Sequence, residues 1–160
     1  MIFFIRETCP KIKMNITIVD IILVLLPAVV GYGSQVACNI GKKAGENVLF
    51  RPPAWAFGVI WAVLFLCFGL SWAIARRNCK NEILCMSTYG LTTLLLGVWI
   101  IVYGCCKSKK GACWVLLLAI AAGLASFAQG NDVSKVLIAP LIAWALFALL
   151  MNTTEVQNPK

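Results

Sequence analysis

Read for polarity alone, the chain divides into long apolar runs separated by short charged interruptions. Five stretches hold no Asp, Glu, Lys or Arg: Ile21 to Gly41, Ala54 to Ala75, Ile83 to Cys106, Gly111 to Asn131 and Val136 to Thr154, of 21, 22, 24, 21 and 19 residues. A helix rises about 1.5 Å per residue and a bilayer's hydrocarbon core is about 30 Å thick, so about 20 apolar residues cross it. Each stretch passes. The pattern predicts an all-α integral membrane protein, a bundle of five transmembrane helices over residues 16–38, 54–75, 83–104, 111–130 and 134–153. A basic segment at 1–15 precedes this domain of residues 16–153, and a polar tail at 154–160 follows it. The alternative, five buried helices of a water-soluble domain, fails because 160 residues do not supply the polar surface to enclose them.

Composition agrees. The chain is 61% hydrophobic and 12% charged, whereas soluble domains carry about 25% charged residues. A net charge of +8 taken alone would point to nucleic acid, but its distribution excludes that reading. The basic residues cluster at helix ends, as Lys42, Lys43 and Arg51, as Arg76, Arg77 and Lys80, and as Lys107, Lys109 and Lys110. There they meet lipid headgroups and stop a helix from sliding. Orientation stays open, because the 14 basic residues divide evenly between the two sides. Translation from Met14 would remove Arg6, Lys11 and Lys13 and break the tie. The first apolar run also resembles a signal peptide's core, but Asp20 interrupts it and its length is that of a spanning helix. A multi-pass membrane protein is expected, in a mitochondrial outer membrane or a bacterial-type plasma membrane.

Eight cysteines accompany no histidine. No pair has the C-x-x-C spacing of a zinc site, so no metal is expected. Cys105, Cys106 and Cys113 flank one loop and form the one candidate redox or metal cluster, while Cys67 sits mid-helix as a small apolar residue. Without histidine the commonest general base is missing, which disfavours hydrolytic triads.

Punctuation sharpens the elements. Pro52-Pro53 marks the start of the second helix, since proline fits a first turn and ends what precedes it. The segment from Cys38 to Pro53 is the longest connection, and its apolar Val48-Leu49-Phe50 predicts a loop folded back over the bundle. The other connections are short, which makes sequential helices antiparallel neighbours. Asp132 or Ser134 is expected to cap the fifth helix. In the fourth, Ala119, Ala122, Gly123 and Ser126 form a small-residue stripe of the kind that lets helices approach closely in lipid.

The aromatics carry the functional question. Phe57, Trp61, Phe65, Phe68 and Trp72 recur every three or four residues and share one face of the second helix. Trp55 falls off that face, at the position of an interfacial anchor. In the fifth helix Pro140, Trp144, Phe147 or Ala148, and Met151 share a face, and Pro140 frees one backbone carbonyl and bends the helix beside Trp144. Indoles on two helices with few charges nearby describe a flat-walled apolar pocket for a planar hydrophobic ligand. Packing of the same stripes against neighbours or lipid explains them without a ligand, so they do not decide alone.

The residues around these stripes resemble the translocator proteins, also called tryptophan-rich sensory proteins or peripheral benzodiazepine receptors. That family carries Trp-x-Pro-Pro-x-Trp before its second helix, then a glycine, Val-Trp and Leu-Tyr. Here stand Phe50-Arg51-Pro52-Pro53-Ala54-Trp55, then Gly58, Ile60-Trp61 and Leu64-Phe65. The family's last helix reads Pro-Tyr-Leu-Ala-Trp, then Phe-Ala and Leu-Asn, against Pro140-Leu141-Ile142-Ala143-Trp144, Phe147-Ala148 and Met151-Asn152. Tyr89, Trp99 and Gln129 align between them, and Gly33-Ser34 after Pro27 aligns in the first helix, so the resemblance spans residues 27–152.

The resemblance implies five transmembrane helices with the first loop, carrying Phe50, Pro52, Pro53 and Trp55, over a ligand pocket. It implies binding of porphyrins and isoquinoline or benzodiazepine-like drugs, with Trp61, Trp144, Phe65 and Ala148 at the family's pocket positions; Phe57 and Phe147 from the stripes and the alignable Trp99 complete the expected ligand-binding set. Membrane lipid and a second copy of the chain are the other implied partners, the fourth-helix stripe offering a contact face; no nucleic acid and no cofactor beyond a bound porphyrin are expected. Where the family has Lys-Pro and Trp the chain has Asn47-Val48 and Phe50, and where the third helix usually reads Asn-Trp-Ala-Trp it has Leu96-Gly97-Val98-Trp99. Thr153 and Gln157 replace the Tyr and Arg of the sterol pattern, so no specific cholesterol binding is expected.

Three functions follow. The first is a binding protein for planar hydrophobic molecules. The second is an enzyme that breaks down a bound porphyrin with light and oxygen, with Trp61 and Trp144 as electron donors. The third is a small transporter of hydrophobic solutes in which Asp20 couples to protons. Asp20 sits close to a helix start, however, where the helix dipole favours a carboxylate and a capping role.

Overall fold

The computed structural model describes residues 16–38, 40, 45 and 48–157, so the basic segment at 1–15, with Cys9, and Lys42, Lys43, Asn47 and Lys160 lie outside the described residues. Five helices follow in order, α1 (Ile18–Ala37), α2 (Ala54–Asn78), α3 (Glu82–Gly104), α4 (Lys109–Gln129) and α5 (Asp132–Gln157). Each is long and apolar enough to cross a membrane, and no strand occurs among the described residues. The protein is an all-α, multi-pass integral membrane protein.

Local chemistry sets the helix starts. Thr17 accepts from the Asp20 amide while the Asp20 carboxylate accepts from the Thr17 amide, a reciprocal capping box that opens α1. Asn81 accepts from Leu84 N–H at 3.1 Å and Ser108 from Gly111 N–H at 3.2 Å. α2 begins directly after Pro53, which has no side-chain cap to offer. The cap of α5 is neither Asp132 nor Ser134: Asn131 accepts from the Ser134 amide at 3.0 Å and from its hydroxyl at 2.6 Å. Asn reaches an N3 amide as well as Asp does, and it stands one residue earlier. α5 also continues through Thr153–Gln157, carrying residues of the polar tail into the helix.

Around the bundle the helices stand in the order α1, α2, α5, α4, α3, each packed on the next, with α3 returning to α1. Consecutive helices are therefore not always neighbours, since α2 packs mainly on α1 and α5 and meets α3 only sparsely. The α2–α3 connection is instead tied by a disulfide, Cys79–Cys85, with Cα atoms 6.5 Å apart. A second, Cys38–Cys105 at 4.9 Å, joins the C-terminal ends of α1 and α3. That bond replaces the anticipated Cys105–Cys106–Cys113 cluster; Cys106 and Cys113 remain as thiols.

Because lipid tails are as apolar as side chains, these contacts depend on close packing and buried hydrogen bonds rather than on hydrophobicity. At Gly69 the α1 backbone comes so near that a Cβ would overlap Val24. Deeper in the bundle, Phe68 and Trp72 stack on Tyr89 at 5.3 and 5.9 Å. Ser71 donates to the Ser134 carbonyl at 2.8 Å, leaving its oxygen to accept from Tyr89, also at 2.8 Å. The small stripe of α4 is spent here too. Ala119, Ala122 and Ser126 are buried, and Gly123 faces Ile142 of α5 and Thr92 of α3. It is an internal seam, not an outward face for a second copy.

Candidate functional site

At the end of the bundle where α1, α3 and α5 finish and α2 begins, the helices part around a cavity of about 430 Å³. Volumes of about 300–1,000 Å³ are usual for small-molecule sites. α2 supplies the aromatic wall, with Phe57, Trp61 and Phe65 one turn apart. Trp61 stacks on Phe65 at 5.2 Å and leans on Trp99 of α3 at 5.6 Å. Gly31 of α1 lies against the Phe65 ring, where any Cβ would overlap it. Beside it the Tyr32 hydroxyl donates to the Gly58 carbonyl at 2.7 Å, joining α1 to α2 along the cavity edge.

The remaining lining is more polar. Gln35 follows on α1, while Ile100 and Tyr103 extend the α3 wall beyond Trp99. Ala148, Met151 and Asn152 come from α5. Ile40, Gly45 and Arg51 come from the α1–α2 connection, and Ala54, Trp55 and Gly58 from the first turns of α2. Gly45 has φ +72°, the left-handed region that suits glycine, and the Met151 and Arg51 side chains lie close to where a Cβ would stand. Its N–H donates at 2.8 Å to Glu155, the next turn of α5. The same carboxylate accepts from the Tyr103 hydroxyl at 2.6 Å and lies 3.4 Å from Lys109 Nζ. A buried carboxylate thus joins the connection, α3, α4 and α5 at one point, both of its oxygens engaged.

The residues singled out from sequence separate into two groups. Phe57, Trp61, Phe65, Trp99 and Ala148 line the cavity, and so does Trp55, whose ring is mostly exposed. Trp144 and Phe147 are not among the lining residues, nor are Phe50, Pro52 and Pro53. Trp144 packs on Phe57 at 5.8 Å and on Phe147 at 5.2 Å, and Phe147 meets Phe50 at 6.0 Å. Those rings form a separate aromatic file beside the cavity, sharing only Phe57 with it. The void also lies at Ala148–Asn152, beyond Trp144, and not beside Pro140.

Sequence reasoning passed over Tyr103 and Glu155, and named Arg51 and Asn152 only as a helix-end charge and a motif residue. Tyr103 stands four residues after Trp99 and Asn152 four after Ala148, so the signal was present as polar groups continuing an apolar stripe by one helical turn. Asn152 is 4% exposed and Trp99 9%, yet neither the Asn152 amide nitrogen nor the Trp99 indole nitrogen has a hydrogen-bond partner among the described residues.

Asp20 plays no part in this cavity. It lies eleven residues before Gly31, about 16 Å along α1, and is engaged by Thr17, by Arg76 at 3.3 Å and by Arg77. Its geometry is that of a helix-end clamp between α1 and α2. No Asp or Glu lines the cavity among the described residues.

Fold and site together define a five-helix membrane protein with an aromatic cavity at one end of the bundle. The sequence model of the TspO/MBR family matches residues 21–156. The chain belongs to that family. It is similar to the tryptophan-rich protein TspO of Archaeoglobus fulgidus, 28% identical over 110 residues that cover 67% of this chain and 72% of the relative.

Proposed function

We propose that this protein is an integral-membrane receptor for planar hydrophobic ligands, with porphyrins the foremost class. The observation that carries this reading is the cavity wall of Phe57, Trp61, Phe65 and Trp99, four rings from two helices around one void. An aromatic contact of favourable geometry adds about 0.5–1.5 kcal/mol beyond the area it buries, so a flat conjugated ring gains more here than an aliphatic molecule of equal size. The absence of any acidic side chain from the described lining favours binding over proton-coupled transport.

Titration of the detergent-purified protein with protoporphyrin, read by tryptophan fluorescence, tests the reading. Saturable quenching is expected, and Trp61→Ala weakens affinity at least about tenfold, the loss of one or two ring contacts. Trp114→Ala, at a ring that is 69% exposed and outside the cavity, leaves affinity unchanged. Equal affinities for wild type and Trp61→Ala would overturn the proposal.

A further inference from the structure

Beside the cavity, α1 and α3 are fastened at two levels by different means. At the inner level a Cβ on Gly97 would stand 2.7 Å from Val30 Cγ1, so the helices meet there by packing. Two turns further along α3, a Cβ on Gly104 would overlap the Cys38 carbonyl, and there Cys38 is bonded to Cys105. The cavity residues of both helices, Gly31, Tyr32 and Gln35 on α1 and Trp99, Ile100 and Tyr103 on α3, fall between these two levels. The disulfide is therefore the outer fastening of two cavity walls. Ile40, which also lines the cavity, follows it by two residues.

Electrostatics opposes that outer contact. Both helices end at it: the Cys38 amide donates to Ser34 and the Cys105 amide to Ile101, each at 2.9 Å. A helix C-terminus carries about half a negative charge, and neither last turn holds a basic residue to offset it. Two like dipole ends thus stand with Cα atoms 4.9 Å apart. Lipid supplies no hydrophobic force to hold them together. Cys38 is 5% exposed but Cys105 is an exposed residue, so a thiol arriving from water approaches the bond from the Cys105 side.

We infer that Cys38–Cys105 is a redox switch that sets how far the α1 and α3 walls of the cavity part. A dithiol attacks Cys105 Sγ as a thiolate, the bond to Cys38 breaks, and Cys38 leaves as a thiolate that takes a proton. The second thiol then displaces Cys105 in the same way. Two electrons and two protons have passed to the cysteines, and the dithiol has become a disulfide. The same couple run backwards recloses the bond. Once it is broken, the like helix ends separate and the walls loosen from Cys38 and Cys105 inward, as far as the packed level at Val30 and Gly97. Cys79–Cys85 stands at the opposite end of the bundle, and neither of its residues lines the cavity. The switch concerns the walls and not which molecule they hold, so it goes beyond the receptor reading without depending on it.

The purified protein is equilibrated with oxidised or reduced dithiothreitol, and alkylation with mass measurement identifies which cysteines are bonded. Amide hydrogen exchange across Gly31–Cys38 and Trp99–Cys105 is expected to speed about tenfold or more on reduction, and to slow again on reoxidation. Exchange across Phe68–Trp72, in the closed half of the bundle, stays unchanged. Protoporphyrin leaves the reduced form about tenfold faster than the oxidised form, since loosened walls act mainly on release. Cys38→Ser with Cys105→Ser gives the fast values under both conditions, whereas Cys79→Ser with Cys85→Ser responds as wild type does. Should either double variant fail to fold, reduction and reoxidation of wild type carry the test. Equal exchange in the two states, or equal protoporphyrin release despite faster exchange, would overturn the inference and leave the receptor reading standing. So would a Cys38–Cys105 bond that dithiothreitol cannot open in the folded protein. Faster exchange on reduction with protoporphyrin bound by neither form would remove the receptor reading and leave the switch.

Discussion

One helix, α2, presents the same kind of face along its whole length and meets opposite circumstances at its two ends. Near its C-terminus, Phe68 and Trp72 are buried against Tyr89, Gly69 touches the α1 backbone, and Ser71 is hydrogen-bonded into α3 and α5. Near its N-terminus, Phe57, Trp61 and Phe65 border a void of about 430 Å³, and Gly58 has nothing within 4 Å of where a Cβ would stand. The residue types hardly differ. What differs is how near the partner helix comes, and a glycine against a backbone brings it nearer than any side chain can.

The two ends also differ in their buried carboxylates. Asp20 clamps α1 to α2 through Arg76 and Arg77 at the closed end. Glu155 joins Gly45, Tyr103 and Lys109 at the cavity end. The first fastens two helices beside a packed core. The second fastens the α1–α2 connection beside a void, so it positions cavity-lining residues rather than closing the bundle.

The contrast is breakable. The largest effect is expected from Gly69→Leu, which drives a side chain into Val24 and the α1 backbone. A loss above about 4 kcal/mol is expected, seen as failure to purify a monodisperse protein. Trp72→Ala comes next, at about 3–5 kcal/mol, because its ring is buried and stacked on Tyr89. Thermal unfolding in detergent measures it, and a fall in Tm no larger than that of Trp61→Ala would show that the two ends are packed alike. The smallest is Gly58→Ala, expected within about 0.5 kcal/mol of wild type and on the stabilising side, since helical glycine gives way to alanine where space is open. Marked destabilisation there would mean that α1 and α2 close more tightly over Gly58 than the described geometry has them.

Much of this was legible in the chain itself. The five spans follow from runs free of charge, and the start of α2 from Pro52-Pro53. The aromatic stripe of α2 follows from helical spacing, and five of the pocket residues inferred from motif and stripe, Phe57, Trp61, Phe65, Trp99 and Ala148, line one cavity. Trp144 and Phe147 share their stripe with Ala148 and Met151 but lie beside the void, not on it. Spacing gives an angle about a helix axis, and residues one turn apart share that angle whether or not the neighbour has drawn away at their depth. Asn131 displaced two other candidate caps because Asn, Asp and Ser are nearly equivalent there.

By itself, then, the sequence determined the number of spans, the membrane setting, the family motifs and which rings share a helical face. Only the tertiary structure decided the order α1, α2, α5, α4, α3, the pairing of Cys38 with Cys105, the use of the α4 stripe as an internal seam, and the meeting of Gly45, Tyr103 and Lys109 on Glu155 at the cavity end. The reason is physical. In a bilayer lipid and protein interior are equally apolar, so hydropathy places a helix in the membrane without saying which neighbour it meets or where the two part.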